Sequence, residues 1–109
     1  MANAFKLVTD TAVGTSPATV YTCPSSTQTT IIGLNLANII STSVQVDVQI
    51  ENADGDNIYL IKNGPVPIGS SLVAVGGDQK VVMNVGDVLK VTSDTASSID
   101  VMLSILEIT

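Results

Sequence analysis

The stretch SVQVDVQIENADGDNIYLIKNG, residues 43–64, decides how this chain folds. Val44, Val46, Val48 and Ile50 alternate with Gln45, Asp47, Gln49 and Glu51. A period of two sends the two sets to opposite faces of an extended strand, whereas a helix would scatter the apolar set around its circumference. The run breaks at Asn52, Asp54, Gly55, Asp56 and Asn57, and a second apolar run with Ile58, Leu60 and Ile61 follows. Asp54-Gly55 between two such strands predicts a hairpin with a type I′ turn, because Gly and Asp tolerate left-handed backbone.

The same cluster is rich in oxygen, so a calcium loop is the competing reading. Calcium takes about 6–8 converging oxygen ligands, and the EF-hand loop has Gly sixth and Glu twelfth. Counted from Asn52, Gly55 is fourth and the twelfth residue is Asn63. Strands, not helices, flank the loop. The cluster reads as a bend.

The same grammar runs through the rest of the chain. β-branched residues fill TTIIGLNL, KVVMNV, VLKVTS and IDVMLSILEI, and no segment shows apolar residues at three-and-four spacing behind a cap. Strands are predicted at residues 5–8, 19–22, 29–38, 43–51, 57–62, 71–75, 80–85, 87–92 and 98–108. VGGDQK is expected to close a tight hairpin, and KNGPVPIGSS to be a loop because Pro65 and Pro67 donate no ladder hydrogen bond. Short strands at this spacing predict an all-β antiparallel sandwich of jelly-roll type. With 109 residues, the whole chain 1–109 is expected to form one domain.

Charged residues make up 13% of the chain, about half the usual share. Abundant Ser and Thr cover part of the exterior, and the mean hydropathy is still positive, +0.46. Part of the surface is therefore expected to be buried against neighbours. The net charge is −6, from ten acids and four Lys, with no Arg and no His. Nucleic acid needs a basic stripe and anionic lipid a basic cluster, so neither nucleic acid nor membrane is an expected partner. The N-terminal MANAFKLVTDTAVG has no apolar core of signal-peptide length, and no segment reaches the ~20 apolar residues that cross a bilayer. A soluble product made in a cytoplasm is expected.

Catalysis finds little to work with. The single cysteine, Cys23, has no His to activate it and no partner for a disulfide, so it reads as a small buried hydrophobe. Asp54, Asp56, Asp78, Asp87 and Asp94 fall at turns, and Asp47, Glu51 and Asp100 on solvent sides of strands. Ser is plentiful beside four Lys, but no spacing singles out a Ser–Lys pair. The chain is read as no enzyme, with no catalytic, cofactor or metal residues. Phe5, Tyr21 and Tyr59 are the only aromatics, too few for a carbohydrate platform. Tyr59, between Ile58 and Leu60, is expected on the outer face of its strand.

In the last strand Ile99, Val101, Leu103 and Ile105 point one way, and Asp100, Met102, Ser104 and Leu106 the other. Both faces carry aliphatics, and Leu106 and Ile108 keep the end apolar. Such an end is tied down either by sheet pairing or by a neighbouring subunit.

TTIIGLNLAN, NGPVPIGSSLVAVGGDQKVVMNVGDVLKVTSD and SSIDVMLSILEI resemble small virion structural proteins of tailed bacteriophages, notably those of marine cyanobacteria. The resemblance runs from about Thr19 onward and is most distinctive in PIGSSLVAVGGDQKVVMNVGDVLKV. It implies a non-enzymatic virion component assembled in the host cytoplasm. Its partners would be copies of itself, as a trimer or other closed homo-oligomer, and the major capsid or tail proteins. Capsid decoration is the leading role. A tail, neck or fibre component that binds a receptor or glycan is the alternative, and a calcium-dependent adhesion domain a distant third. Thermal melts recorded with calcium and with chelator are expected to coincide, and a shift of several degrees would contradict the bend.

Overall fold

The computed structural model describes residues 2–109. Nine strands form at the nine expected places: β1 (Asn3–Val13), β2 (Ala18–Thr22), β3 (Gln28–Asn38), β4 (Val44–Glu51), β5 (Asn57–Val66), β6 (Ser71–Val75), β7 (Val81–Met83), β8 (Val88–Ser93) and β9 (Ile99–Ile108). They make two antiparallel sheets. Sheet A has the order β1-β9-β3-β6, with β7 also on β3, and sheet B has the order β2-β8-β4-β5.

The wiring has a single logic. β4 pairs with β5, β3 with β6 and β7, β2 with β8, and β1 with β9. Each strand thus meets its counterpart on the other side of residues 52–56, like successive rungs of one long hairpin. Folding that ribbon over itself adds β9 to β3 and β8 to β4 and yields a jelly roll. The acidic bend is the tip from which the ribbon starts.

Alternation supplies the core. Val44, Val46 and Val48 of β4 meet Leu34 and Leu36 of β3, Leu89 and Val91 of β8, and Leu103 and Ile105 of β9 in one buried cluster. Leu103 is fully buried.

Four details depart from the expectations. The tip is a hairpin but not a type I′ turn. Gly55 N–H donates to Asn52 O (3.0 Å), Asn52 N–H donates to Asp56 O (2.9 Å), and Gly55 alone in the loop has positive φ, +87°. This is a type I turn closed by a left-handed Gly, the geometry of a three-residue hairpin loop. VGGDQK is not a hairpin at all. β6 and β7 both run antiparallel to β3, opposite residues 34–37 and then 29–31. The intervening segment is a local excursion, with Gln79 N–H on Gly76 O (3.2 Å) and Gly77 at φ +61°. Eleven residues of β3 are long enough to take both segments end to end, which no local signal announces.

β5 runs through Pro65 to Val66, where a loop was expected, with Pro65 opposite Gln45. β5 is the edge of sheet B, and one row of amides on an edge strand has no ladder partner, so proline is tolerated. β1 extends to Val13, five residues beyond the expected end, with a register shift after Asp10 and Ala12 at φ +55°. The apolar C-terminal strand is held by sheet pairing: Ile108 lies between Asn3 and Gln28. Leu103→Ala is expected to lower stability by about 2–5 kcal/mol, read as a fall in denaturation midpoint at unchanged m-value.

Candidate interaction face

The two sheets turn very different outer faces to the surroundings. On sheet A the register aligns Phe5, Leu106, Thr30 and Val82 in one row across four strands. A second row holds Thr9, Met102, Asn35 and Val73, and Leu7 sits beside Ser104 between them. Phe5 is 77% exposed, Leu7 65%, Val73 63%, Val82 62% and Met102 52%. Five large exposed apolar side chains thus share one sheet face, with Thr30, Asn35 and Ser104 among them, a concentration that marks a surface for contact. Two carboxylates, Asp10 and Asp100, lie at the end of these rows, and Asp100 is occupied locally. Its Oδ1 accepts the Thr11 hydroxyl (2.6 Å) and Ala12 N–H (3.1 Å).

Sheet B is polar outside. One row reads Thr19, Lys90, Gln49 and Tyr59. Lys90 pairs with Glu51 (2.5 Å) and Lys62 with Asp47 (3.2 Å). The hydrogen bond that Lys62 Nζ donates to the Asp47 carboxylate holds the ammonium protonated above the usual lysine range. Lys62 Nζ also lies 4.7 Å from the centre of the Tyr59 ring, which stands on the outer face as expected. Charges on this face are mutually satisfied, whereas the face of sheet A offers mainly greasy contact.

At one end of sheet A's outer face the β1 bulge bends over β9 and creates a groove of about 480 Å³. Thr9, Asp10, Thr11, Asn35 and Asp100 give it polar walls, and Ala37 and Met102 an apolar floor.

A polar cluster lies between the sheets. Glu107 continues the inward set of β9 and is only 6% exposed. Its Oε1 pairs with Lys6 Nζ (2.7 Å) and its Oε2 accepts the Tyr21 hydroxyl (2.5 Å), which also meets Thr29 Oγ1 (2.8 Å). The Lys6 and Tyr21 hydrogen bonds hold the Glu107 carboxyl below the usual carboxylate range. Burial, with the neighbouring carboxylate, pushes the Tyr21 hydroxyl up to about 12. One group is held charged, the other neutral. The arrangement ties β1, β2 and β9 together and leaves no open position beside a nucleophile.

The residues singled out in sequence fall as follows. Asn52 Oδ1 accepts N–H from Asp54 and Asp56, both at 3.0 Å, and Asn57 Oδ1 accepts Gln49 Nε2 (2.7 Å). The tip's amide oxygens are therefore engaged in shaping the turn. Among the described residues no group of three or more His, Cys, Asp or Glu is placed to hold a metal. Cys23 is buried, with Sγ 3.4 Å from Thr29 Oγ1. Glu107 was missed by the sequence reading, although its parity with Ile99, Val101, Leu103 and Ile105 puts it inside.

No protein-family model matches the chain, and no curated protein matches it. Among solved structures it is similar to one from Bacillus endospore appendages, which form a family of disulfide-linked pili. The TM-score is 0.59 at 14% identity, covering 99% of this chain and 87% of the other. At that identity the likeness is one of fold.

Glu107 makes stability depend on pH in a defined direction. Its folded pKa lies below the ordinary 4.5, so the stabilisation is complete above that value and is lost as pH falls through the folded pKa. Denaturation midpoints are expected to drop below about pH 4.5, and Glu107→Gln to flatten that drop while costing about 2 kcal/mol at neutral pH. Tyr21 acts in the opposite direction: its folded pKa is raised, so stability falls as pH climbs from 10 towards 12.

Proposed function

We propose that this chain is a non-enzymatic structural subunit of a tailed-phage particle, a homo-oligomer on the particle exterior that decorates the capsid. The observation that carries the structural role is the contrast between the two outer faces. An apolar face with this many exposed large side chains marks a surface for contact, and the ion-paired face of sheet B suits solvent. Weak contacts of this kind become durable when many copies engage a symmetric shell at once.

The phage assignment rests on the sequence resemblance from Thr19 onward. The fold likeness to a protein of endospore pili is in keeping with a structural role. Disulfide linkage of the kind those pili use has no counterpart here, because the single cysteine is buried. Copies of this chain would meet through non-covalent contact.

A second reading has one observation in its favour. The groove beside Asp10, Asp100 and Asn35 offers carboxylates and a carboxamide over an apolar floor, chemistry that can receive sugar hydroxyls. That would suit a fibre-borne glycan-binding module, and saturable hits on a glycan array would favour it.

Quantitative mass spectrometry of fractionated particles tests the main reading. Copies are expected to scale with the major capsid protein, and a far smaller number would place the chain in the tail, neck or fibre. Absence from every assembled particle would overturn the proposal.

A further inference from the structure

Each sheet has two edges, and three of the four are closed to further pairing. β2 is five residues long with a register shift between Thr19 and Tyr21. β5 carries Pro65, two register shifts and Asn63 at φ +56°. The β6–β7 edge is broken by the excursion at residues 76–80. Bulges, prolines and interruptions of this kind keep natural edges from pairing with other chains.

β1 has none of them over residues 3–10, which pair with β9 without a shift. Its backbone polarity follows from the end of the ladder. Ala2 N–H donates to Thr109 O (3.0 Å) and Thr109 N–H to Ala2 O (2.9 Å), so Ala2 and Thr109 form a hydrogen-bonded pair. Antiparallel pairs alternate between bonded and non-bonded. Ala4, Lys6, Val8 and Asp10 therefore bond β9, and the N–H and C=O groups of Asn3, Phe5, Leu7 and Thr9 point away from the sheet. Of the two charges on this stretch, the Lys6 ammonium is held by Glu107 and Asp10 stands at its far end, beside the register shift.

We propose that β1 pairs antiparallel with β1 of a second copy, joining two A sheets into one. This rests on the reading above that the chain self-assembles, and names the contact through which it does so. The occupant follows by elimination: among the described residues a second copy offers no other open edge. Charge excludes one register, and continuity of the apolar face chooses another. Centring the two-fold on Lys6 would set two ammonium groups in directly opposed positions, which destabilises a strand pair. Centring it on Leu7 sets Leu7 opposite its own copy, Phe5 opposite Thr9, and Lys6 opposite Val8. The apolar face then continues across the junction, with Phe5 and Leu7 at its middle. The contact is isologous, so it closes as a dimer and gives no open filament by itself.

Amide hydrogen exchange and sedimentation velocity on the full chain test this together. The wild type is expected to sediment as a dimer when concentrated. Exchange at Phe5, Leu7 and Thr9 is expected to slow by about tenfold or more between dilute and concentrated samples, while Lys6 and Val8 stay protected in both. Leu7→Pro removes an outward amide together with the Leu7 side chain, leaves the bonds to β9 in place, and is expected to give a folded monomer with a cooperative melt. Should Leu7→Pro fail to fold, the exchange pattern of the wild type still decides. An oligomer whose Phe5, Leu7 and Thr9 amides exchange equally fast at both concentrations would overturn the edge pairing and leave self-assembly standing. A strict monomer at all concentrations would overturn both.

Discussion

The nested antiparallel pairing around residues 52–56 is the constraint on which the rest of the molecule depends. Once β4 and β5 are set by the Asn52–Gly55 turn, β3 can meet β6 and β7, β2 can meet β8, and β1 can meet β9. The first and last strands thereby become neighbours although almost the whole chain separates them. Such long-range pairing costs loop-closure entropy before contacts reward it, which favours a strong local start. The alternating valines of β4 and the oxygen of Asn52, which takes two amides of the turn, supply that start.

The surface follows from which sides of the sheets face each other. Both sheets must bury one set of alternate residues, and the sets left outside are unequal. Sheet B keeps Lys90, Glu51, Lys62 and Asp47 in paired positions, whereas sheet A keeps Phe5, Leu7, Val73, Val82 and Met102. A net charge of −6 opposes close approach of two copies in general. On sheet A the nearby carboxylates, Asp10 and Asp100, gather at the groove end of the face, where Asp100 accepts the Thr11 hydroxyl and Ala12 N–H. The ion-paired surface and the apolar surface are thus opposite faces of one sandwich.

Glu107 shows how the sandwich closes at its end. An acid in the inward set of a strand is costly unless its lone pairs are used. Lys6 and Tyr21 use both oxygens, and they come from an edge strand of each sheet. The same ion pair draws the Lys6 charge away from the free edge of β1. Closure of the core and openness of that edge are in this way one electrostatic arrangement.

What the sequence determined by itself was everything that a period of two and a turn residue can encode. The nine strands, the bend at Asp54-Gly55, the outward position of Tyr59 and the two faces of β9 are all local. Parity alone also places Glu107 inside. Only the tertiary structure decided that the two runs flanking Gly76 and Gly77 continue along one edge of β3, that Pro65 lies within an edge strand, and that β1 is the open edge. It also decided which aliphatics are covered, since Met102 and Leu103 are equally apolar and differ only in which side of β9 meets the other sheet. Local spacing fixes which residues share a face. Which face is buried depends on how strands distant in sequence stack, and no stretch of the chain holds that information alone.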